Sequence, residues 1–174
     1  MSPGGAGPGG SLDPSPMTLD EITAFVHARI PSTATLGARV VHHDGASLGL
    51  AAPLAPNVNH RGTAFGGSLS ALAILSGWLL LHLQLRERGV SARLVIQRSA
   101  FDYQAPVDGD FTATAALPAP GAWDRFLRTL ERHRSARVTV PSTIASASGV
   151  GGRHEGTFVA TRVDGGDSPG GAAP

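Results

Sequence analysis

A cluster of groups able to do chemistry lies in one short run, Asn57-Val58-Asn59-His60-Arg61-Gly62-Thr63-Ala64-Phe65-Gly66-Gly67-Ser68. It holds two amides, an imidazole, a guanidinium and two hydroxyls, and it ends in a glycine pair where a long apolar stretch begins. A helix that starts there leaves its first backbone N–H groups unpaired, with the helix dipole favouring negative charge beyond them. Two glycines let a ligand approach that backbone closely. Gly66 and Gly67 are therefore expected to donate to an oxygen that gains negative charge during a reaction. The competing role is that the pair only lets the helix start pack against a sheet or a partner. Asn59 can orient water or a carbonyl, or cap its own loop through an Asx turn. Ser68, in the first helical turn, can touch substrate or make a capping contact, but a hydroxyl is a weak nucleophile without an adjacent base. His60 is a candidate base or a solvated loop histidine. Thr63 and Phe65 are candidate substrate contacts. Arg61 is the phosphate candidate, because guanidinium suits phosphate geometry.

Other classes of chemistry find less support. The chain has no Cys, which removes a thiol nucleophile, disulfides and thiolate-bound metal. His42 and His43 are adjacent on an expected strand, so they point to opposite faces and do not converge on one ion; no metal site is expected, and no cofactor. All 14 basic residues are Arg, and the net charge is +1. No bulk field selects nucleic acid or an anionic membrane. The Arg125–Arg137 run is expected to be a solvated face.

Around the run, Thr18 and Glu21 form a capping box for a helix over 19–29. Strands are expected over 38–43 and 47–53, about a turn at Asp44-Gly45. A loop covers 54–64. A long helix begins at Phe65 or Gly66, ends at Glu87, and stops at Gly89. A strand over 93–103 follows, then a turn at Asp108-Gly109, a strand over 111–117 and a short helix over 123–131. Strands over 137–148 and 153–163 close the pattern as a hairpin about 149–152. Residues 62–85 carry no charge, long enough for a membrane span. Interior Gly, Ser, His82 and Gln84 favour a buried central helix instead. The ends, 1–16 and 165–174, are rich in Gly, Pro and Ser and expected to be disordered. One domain over 17–164 remains, of α+β class, with an antiparallel sheet wrapped around the long helix. No basic, apolar leader opens the chain, so a cytoplasmic protein is expected.

The motif core N-x-x-G-x-x-F-G-G, Asn59 to Gly67, resembles the hotdog thioesterase signature N-x-x-G-x-x-H-G-G, with Phe65 in the His position. The longer string N-H-R-G-T-A-F-G-G-S-L-x-A-L-A is similar to the thioesterase family of the YiiD C-terminal domain type. Tyr103-Gln104-Ala105-Pro106-Val107-Asp108-Gly109-Asp110 resembles the Y-x-x-P-V-x-G-D turn after the first strand that follows the hotdog helix. The resemblance implies a hotdog fold, hydrolysis of an acyl-CoA or acyl-carrier thioester, and a homodimer with sites at the interface. In many such enzymes an acid follows the second Gly by seven positions; here that position is Ile74. Asp102 or His60 is the candidate replacement. The alternative is a domain that binds acyl thioesters, or regulates through them, without catalysis. A hydratase ranks last, because it needs a His and an acid pair that the motif lacks.

Overall fold

The structure, a computed structural model, describes residues 17–163; both ends expected to be disordered lie outside the described residues. Helix α1 (Leu19–Arg29) opens on the expected capping box. The Glu21 N–H donates to Thr18 Oγ1 at 3.2 Å, and the Thr18 N–H donates to Glu21 Oε2 at 2.8 Å. The Thr18 N–H and, second, the Thr18 hydroxyl, both donating to Glu21 Oε2, lower the Glu21 pKa. A one-turn helix, α2 (Ser32–Thr35), which was not among the expected elements, follows.

Strands β1 (Arg39–His43) and β2 (Ser47–Ala52) pair antiparallel. Asp44 ties their turn by accepting from the N–H groups of Ala46 and Ser47. Those bonds pull its carboxyl down to about 2, and Gly45 takes the left-handed φ of +84° that the turn requires. Next comes α3 (Gly66–Glu87). It ends where Gly89 adopts φ +66° and the Val90 N–H donates back to Leu85 O. The remaining elements are β3 (Ala92–Tyr103), β4 (Phe111–Ala116), α4 (Pro120–His133), β5 (Ser135–Ser146) and β6 (Gly149–Arg162).

All six strands form one antiparallel sheet in the order β1-β2-β4-β5-β6-β3, packed around α3. Leu72, Leu79, Leu80 and Leu81 are wholly enclosed; each such side chain contributes about 1.5–3 kcal/mol. α3 has the length and hydropathy of a membrane span, but 72% of that window is buried within the fold. It is the core helix.

Two expectations need correction. α4 begins at Pro120 and reaches His133, longer than 123–131, because Pro at the first turn starts a helix well and Trp123, Phe126 and Leu130 bury one face of it. The final hairpin turns at 147–148, not at 149–152. Gly151 and Gly152 lie inside β6, where a Cβ would strike the Val107 and Phe101 side chains. These glycines make room for neighbours and do not make the turn.

The sheet's two edges differ. β1 is covered by α1: the Val40 N–H donates to Thr23 Oγ1, and His27 Nε2 shares a hydrogen bond with Ala38 O. Among the described residues β3 pairs only with β6. Its apolar residues Val95, Ile96 and Tyr103 stay 51%, 36% and 54% exposed.

Candidate active site

The loop before α3 is built by two asparagines. Asn57 is buried and donates through Nδ2 to Leu36 O and Pro53 O, while its backbone oxygen accepts from the Phe65 N–H at 2.7 Å. Asn59 Nδ2 donates to Thr63 Oγ1 and Ala64 O; its Oδ1 accepts from the N–H groups of Arg61 and Thr63. Both protons of that amide are used and its oxygen is doubly occupied. The Asx-turn role is the one the geometry displays. Gly62 closes the turn at φ +78°.

The second motif clamps this loop. The Ala64 N–H donates to Val107 O at 2.7 Å, and the Leu54 N–H donates to Asp110 Oδ1 at 2.9 Å. Asp108 accepts from Ser148 Oγ at 2.7 Å. Both aspartates serve the scaffold.

The helix start itself is left open. Phe65 is the N-cap residue and offers no side-chain acceptor. Its carbonyl accepts from the N–H groups of Ser68 and Leu69. The N–H groups of Gly66 and Gly67 find no acceptor among the described residues. The Phe65 ring, 58% exposed, folds over Gly67 so closely that a Cβ there would overlap it. Tyr103 O–H donates to Gly66 O at 2.9 Å, and a Cβ on Gly66 would stand 3.2 Å from the Tyr103 ring. A recess of about 330 Å³ lies here, lined by Thr63, Gly66, Leu69, Tyr103, Gln104 and Pro106 among others. Free N–H groups under an aromatic wall can bind an anion or the oxygen of a polarised carbonyl.

The other sequence candidates fall at varying distances from that point. Ser68 is buried beside the helix start. Thr63 is half-buried and held by Asn59. His60 and Arg61 stand exposed at the loop tip. Asp102 does not turn into the cleft. Its neighbours Phe101 and Tyr103 face the helix side, so alternation puts its carboxylate on the other face, where it accepts from Gln104 Nε2 at 2.9 Å. A replacement acid at Asp102 has no support within this protomer. His42 pairs with Asp44 and His43 with Glu87, two separate sites.

Sequence reasoning missed His154. It is 2% exposed on the inner face of β6, between β5 Ser142 and β3 Phe101 in register. Its Nε2 shares a hydrogen bond with the hydroxyl of exposed Ser99 at 3.0 Å, while Nδ1 is buried without a partner among the described residues. Gly152 and Gly156 flank it on the same face. A Cβ at Gly156 would lie 2.9 Å from His154 Cε1. Burial, partly opposed by Glu155, lowers its pKa and holds the ring neutral. The signal was the alternation Gly152-x-His154-x-Gly156, a histidine whose neighbours on one strand face have no side chain. A cavity of about 450 Å³ at this part of the sheet is lined by Asp102, Thr143, Arg153 and Glu155 as well as by Phe101, Ser142 and His154. The Phe101 and Tyr103 rings stand 4.2 Å apart on the inner face.

The family described as "Putative thioesterase (yiiD_Cterm)" matches residues 19–162, nearly every described residue. The chain belongs to this family. Solved structures agree on the architecture. A protein of unknown function, OLEI01261 from Chlorobaculum tepidum TLS, is 25% identical over 83% of this chain and 94% of its own, with TM-score 0.78. A "putative thioesterase" from Shewanella oneidensis is 24% identical over 82% and 96%, with TM-score 0.73. Thioesterase HI1161 from Haemophilus influenzae is 16% identical over 90% and 100%, with TM-score 0.69. The fold is the hotdog fold, and the family makes the function thioesterase-like.

Proposed function

We propose that the chain hydrolyses an acyl-CoA or acyl-carrier thioester. The observation that carries this reading is the uncapped start of α3, where Phe65 offers no side-chain acceptor to the Gly66 and Gly67 N–H groups and Gly66 lines a recess. The thioester oxygen would accept from those two groups. Water adds to the carbonyl carbon, charge collects on that oxygen, and the C–S bond breaks to release acid and thiol. The donors are fixed before the charge appears, the arrangement that gives such sites their catalytic weight. Ser68, Thr63 and Phe65 form the surroundings of the acyl group. No cofactor is needed beyond the thiol carrier, which is part of the substrate.

The working unit in this proposal is a homodimer joined through β3. The open edge carries exposed apolar residues along a 12-residue strand, and an unpaired edge invites pairing. Only a two-fold axis perpendicular to the sheet keeps both central helices on one face, and that axis makes the paired β3 strands antiparallel.

A second reading has its own observation. Phe65 and the half-buried Ile74 stand where the signature places its proton-handling groups, which suits an acyl-thioester binding domain. A thiol-release assay separates the two, run against short, medium, long and aromatic acyl-CoAs and an acyl-carrier thioester. Turnover supports hydrolysis. Saturable binding by calorimetry without turnover on any substrate replaces it with the binding reading.

A further inference from the structure

The open side of α3 and the inner face of β3 form a trench that leads away from the helix start. From Gly67 to Trp78, the residues of α3 that are not buried are Gly67, Ser70, Ala71, Ile74 and Trp78. Their spacings of three and four put them on one stripe. β3 is tied beside that stripe at both ends. Tyr103 O–H donates to Gly66 O at 2.9 Å, and Trp78 Nε1–H donates to Leu94 O at 3.0 Å. Between the ties, the inner face of β3 presents Phe101, Ser99 and, past a bulge, Ile96, opposite His154, Gly156 and Phe158 of β6. Ser99 and Ile96 are exposed and Phe101 is half-buried, so α3 does not close over them. The Tyr103, Phe101 and His154 rings follow one another along this wall, at 4.2 and 6.2 Å between centroids. Phe101 lies over Gly152, where a Cβ would overlap its ring; the ring rests on the sheet and leaves the trench open. The walls are apolar apart from Ser70, one turn from the mouth, and a pair further in. In that pair the imidazole of His154, 2% exposed, holds the hydroxyl of exposed Ser99 at 3.0 Å.

We propose that Ser99, backed by His154, recognises a hydroxyl group carried on the acyl chain of the substrate, remote from the thioester. The proposal rests on the thioester reading and deepens it by naming a class of acyl group. With the carbonyl at Gly66 and Gly67, the chain runs past Tyr103 and Phe101. Ser99 lies four residues from Tyr103, about 13 Å along the strand, within reach of a medium-length chain. A hydroxyl both donates and accepts. If Ser99 donates to His154 Nε2, it keeps only acceptor capacity for a ligand; if His154 donates, Ser99 keeps its proton. A hydroxyl on the chain suits either tautomer, whereas a ketone suits only the second. A carboxylate meets no cation here. Arg98 and Arg153 alternate with Ser99 and His154 and so project from the opposite face, and burial holds the imidazole neutral. An unsubstituted chain would cover the serine hydroxyl without answering it, which discriminates against that chain.

The test uses the full chain and a series of acyl-CoAs from hexanoyl to dodecanoyl, each with and without a terminal hydroxyl. In the thiol-release assay, kcat/KM should favour the hydroxylated member at least tenfold at one chain length and reach parity at the shortest. Ser99→Ala should erase the preference by lowering kcat/KM on the hydroxylated substrate alone, with the plain one held within twofold. Ser99→Thr, which keeps a hydroxyl, should retain it. Ser99 is exposed, so both variants should fold, and melting temperatures check this. Three results overturn the proposal: plain chains used as well as hydroxylated ones at every length, a preference that survives Ser99→Ala, or an equal loss on both substrates, the mark of a purely structural role. If no thioester is hydrolysed, calorimetry makes the same comparison with non-hydrolysable thioether analogues of the paired chains. Binding at least tenfold tighter for the hydroxylated analogue, lost in Ser99→Ala, then sustains the assignment and removes only the hydrolase reading. Equal binding of the two analogues overturns it.

Discussion

Gly67→Ala is the substitution that best separates chemistry from folding. Its new methyl group would land on the Phe65 ring. That ring is 58% exposed and terminates a side chain free to swing into water, so relief costs little packing. Ala is also the better helix residue, by up to about 1 kcal/mol over Gly. The opposing effects leave net stability within about 1 kcal/mol, or about 4 °C in melting temperature for a domain of this size. Activity should respond differently. A methyl group and a displaced ring now occupy the approach to the Gly66 and Gly67 N–H groups. Loss of one donor to a developing oxyanion typically costs about 10²–10³ in kcat; partial obstruction should cost at least about tenfold in kcat/KM, or about 1.4 kcal/mol. Thiol release and thermal unfolding on the same preparation read both quantities. Phe65→Ala combined with Gly67→Ala removes the displaced ring and isolates the methyl group's share. A variant that folds normally and keeps kcat/KM within twofold would show that no reacting carbonyl sits at the helix start.

Asn59→Ala should behave in the opposite way, losing stability by about 1–3 kcal/mol because loop donors and acceptors are stranded. Asn59→Asp, which keeps the acceptor half, should lose less; urea denaturation measures both, and full stability with lost turnover would point to a chemical role. Gly156→Ala should overpack the inner face by about 1–3 kcal/mol, since its Cβ would meet Phe158 at 2.7 Å and His154 at 2.9 Å; an unchanged denaturation midpoint would contradict this. Burial depresses the His154 pKa, and burial with two neighbouring arginines depresses that of His82. The unfolded chain therefore binds more protons near pH 6.5, and stability is complete above that pH and falls as pH drops through the lower folded values. Denaturation midpoints from pH 5 to 8 should rise with pH, and His154→Gln should flatten the slope; an identical slope would mean His154 is not held neutral.

The architecture was readable because several local signals agreed. The Thr18/Glu21 box, the Asp44-Gly45 turn and the Gly89 stop each fixed a boundary by short-range bonding, and the apolar run beginning at Gly66 announced a buried helix. The hairpin at 147–148 was misplaced because glycine was read as turn chemistry. Gly151 and Gly152 instead yield space to Val107 and Phe101, residues distant in sequence. Asn59 looked chemical because amides can hold water. Its four bonds within five residues show how a loop can exhaust that capacity. His154 went unnoticed for a related reason. Its burial depends on Ser99 and Phe101 being brought alongside by β3–β6 register, and no local pattern encodes that pairing.

Phe65 and Ile74 are best understood through what their positions now provide. A Ser, Thr, Asp or Asn at the N-cap would donate an acceptor to the first turn and consume an N–H group. Phe65 cannot, so the Gly66 and Gly67 donors remain available while its ring shelters them from water on one side. Ile74 packs against the core from partly buried ground. A glutamate there would have to desolvate, favouring its neutral form and costing stability. On the proposed reading the site is made from backbone donors, with apolar side chains at the two positions where the signature has ionisable ones. Backbone donors stabilise charge on a carbonyl oxygen but carry no exchangeable charge of their own. Turnover that depends on them should therefore lose less with moderate changes of pH than a site run by a histidine and an acid.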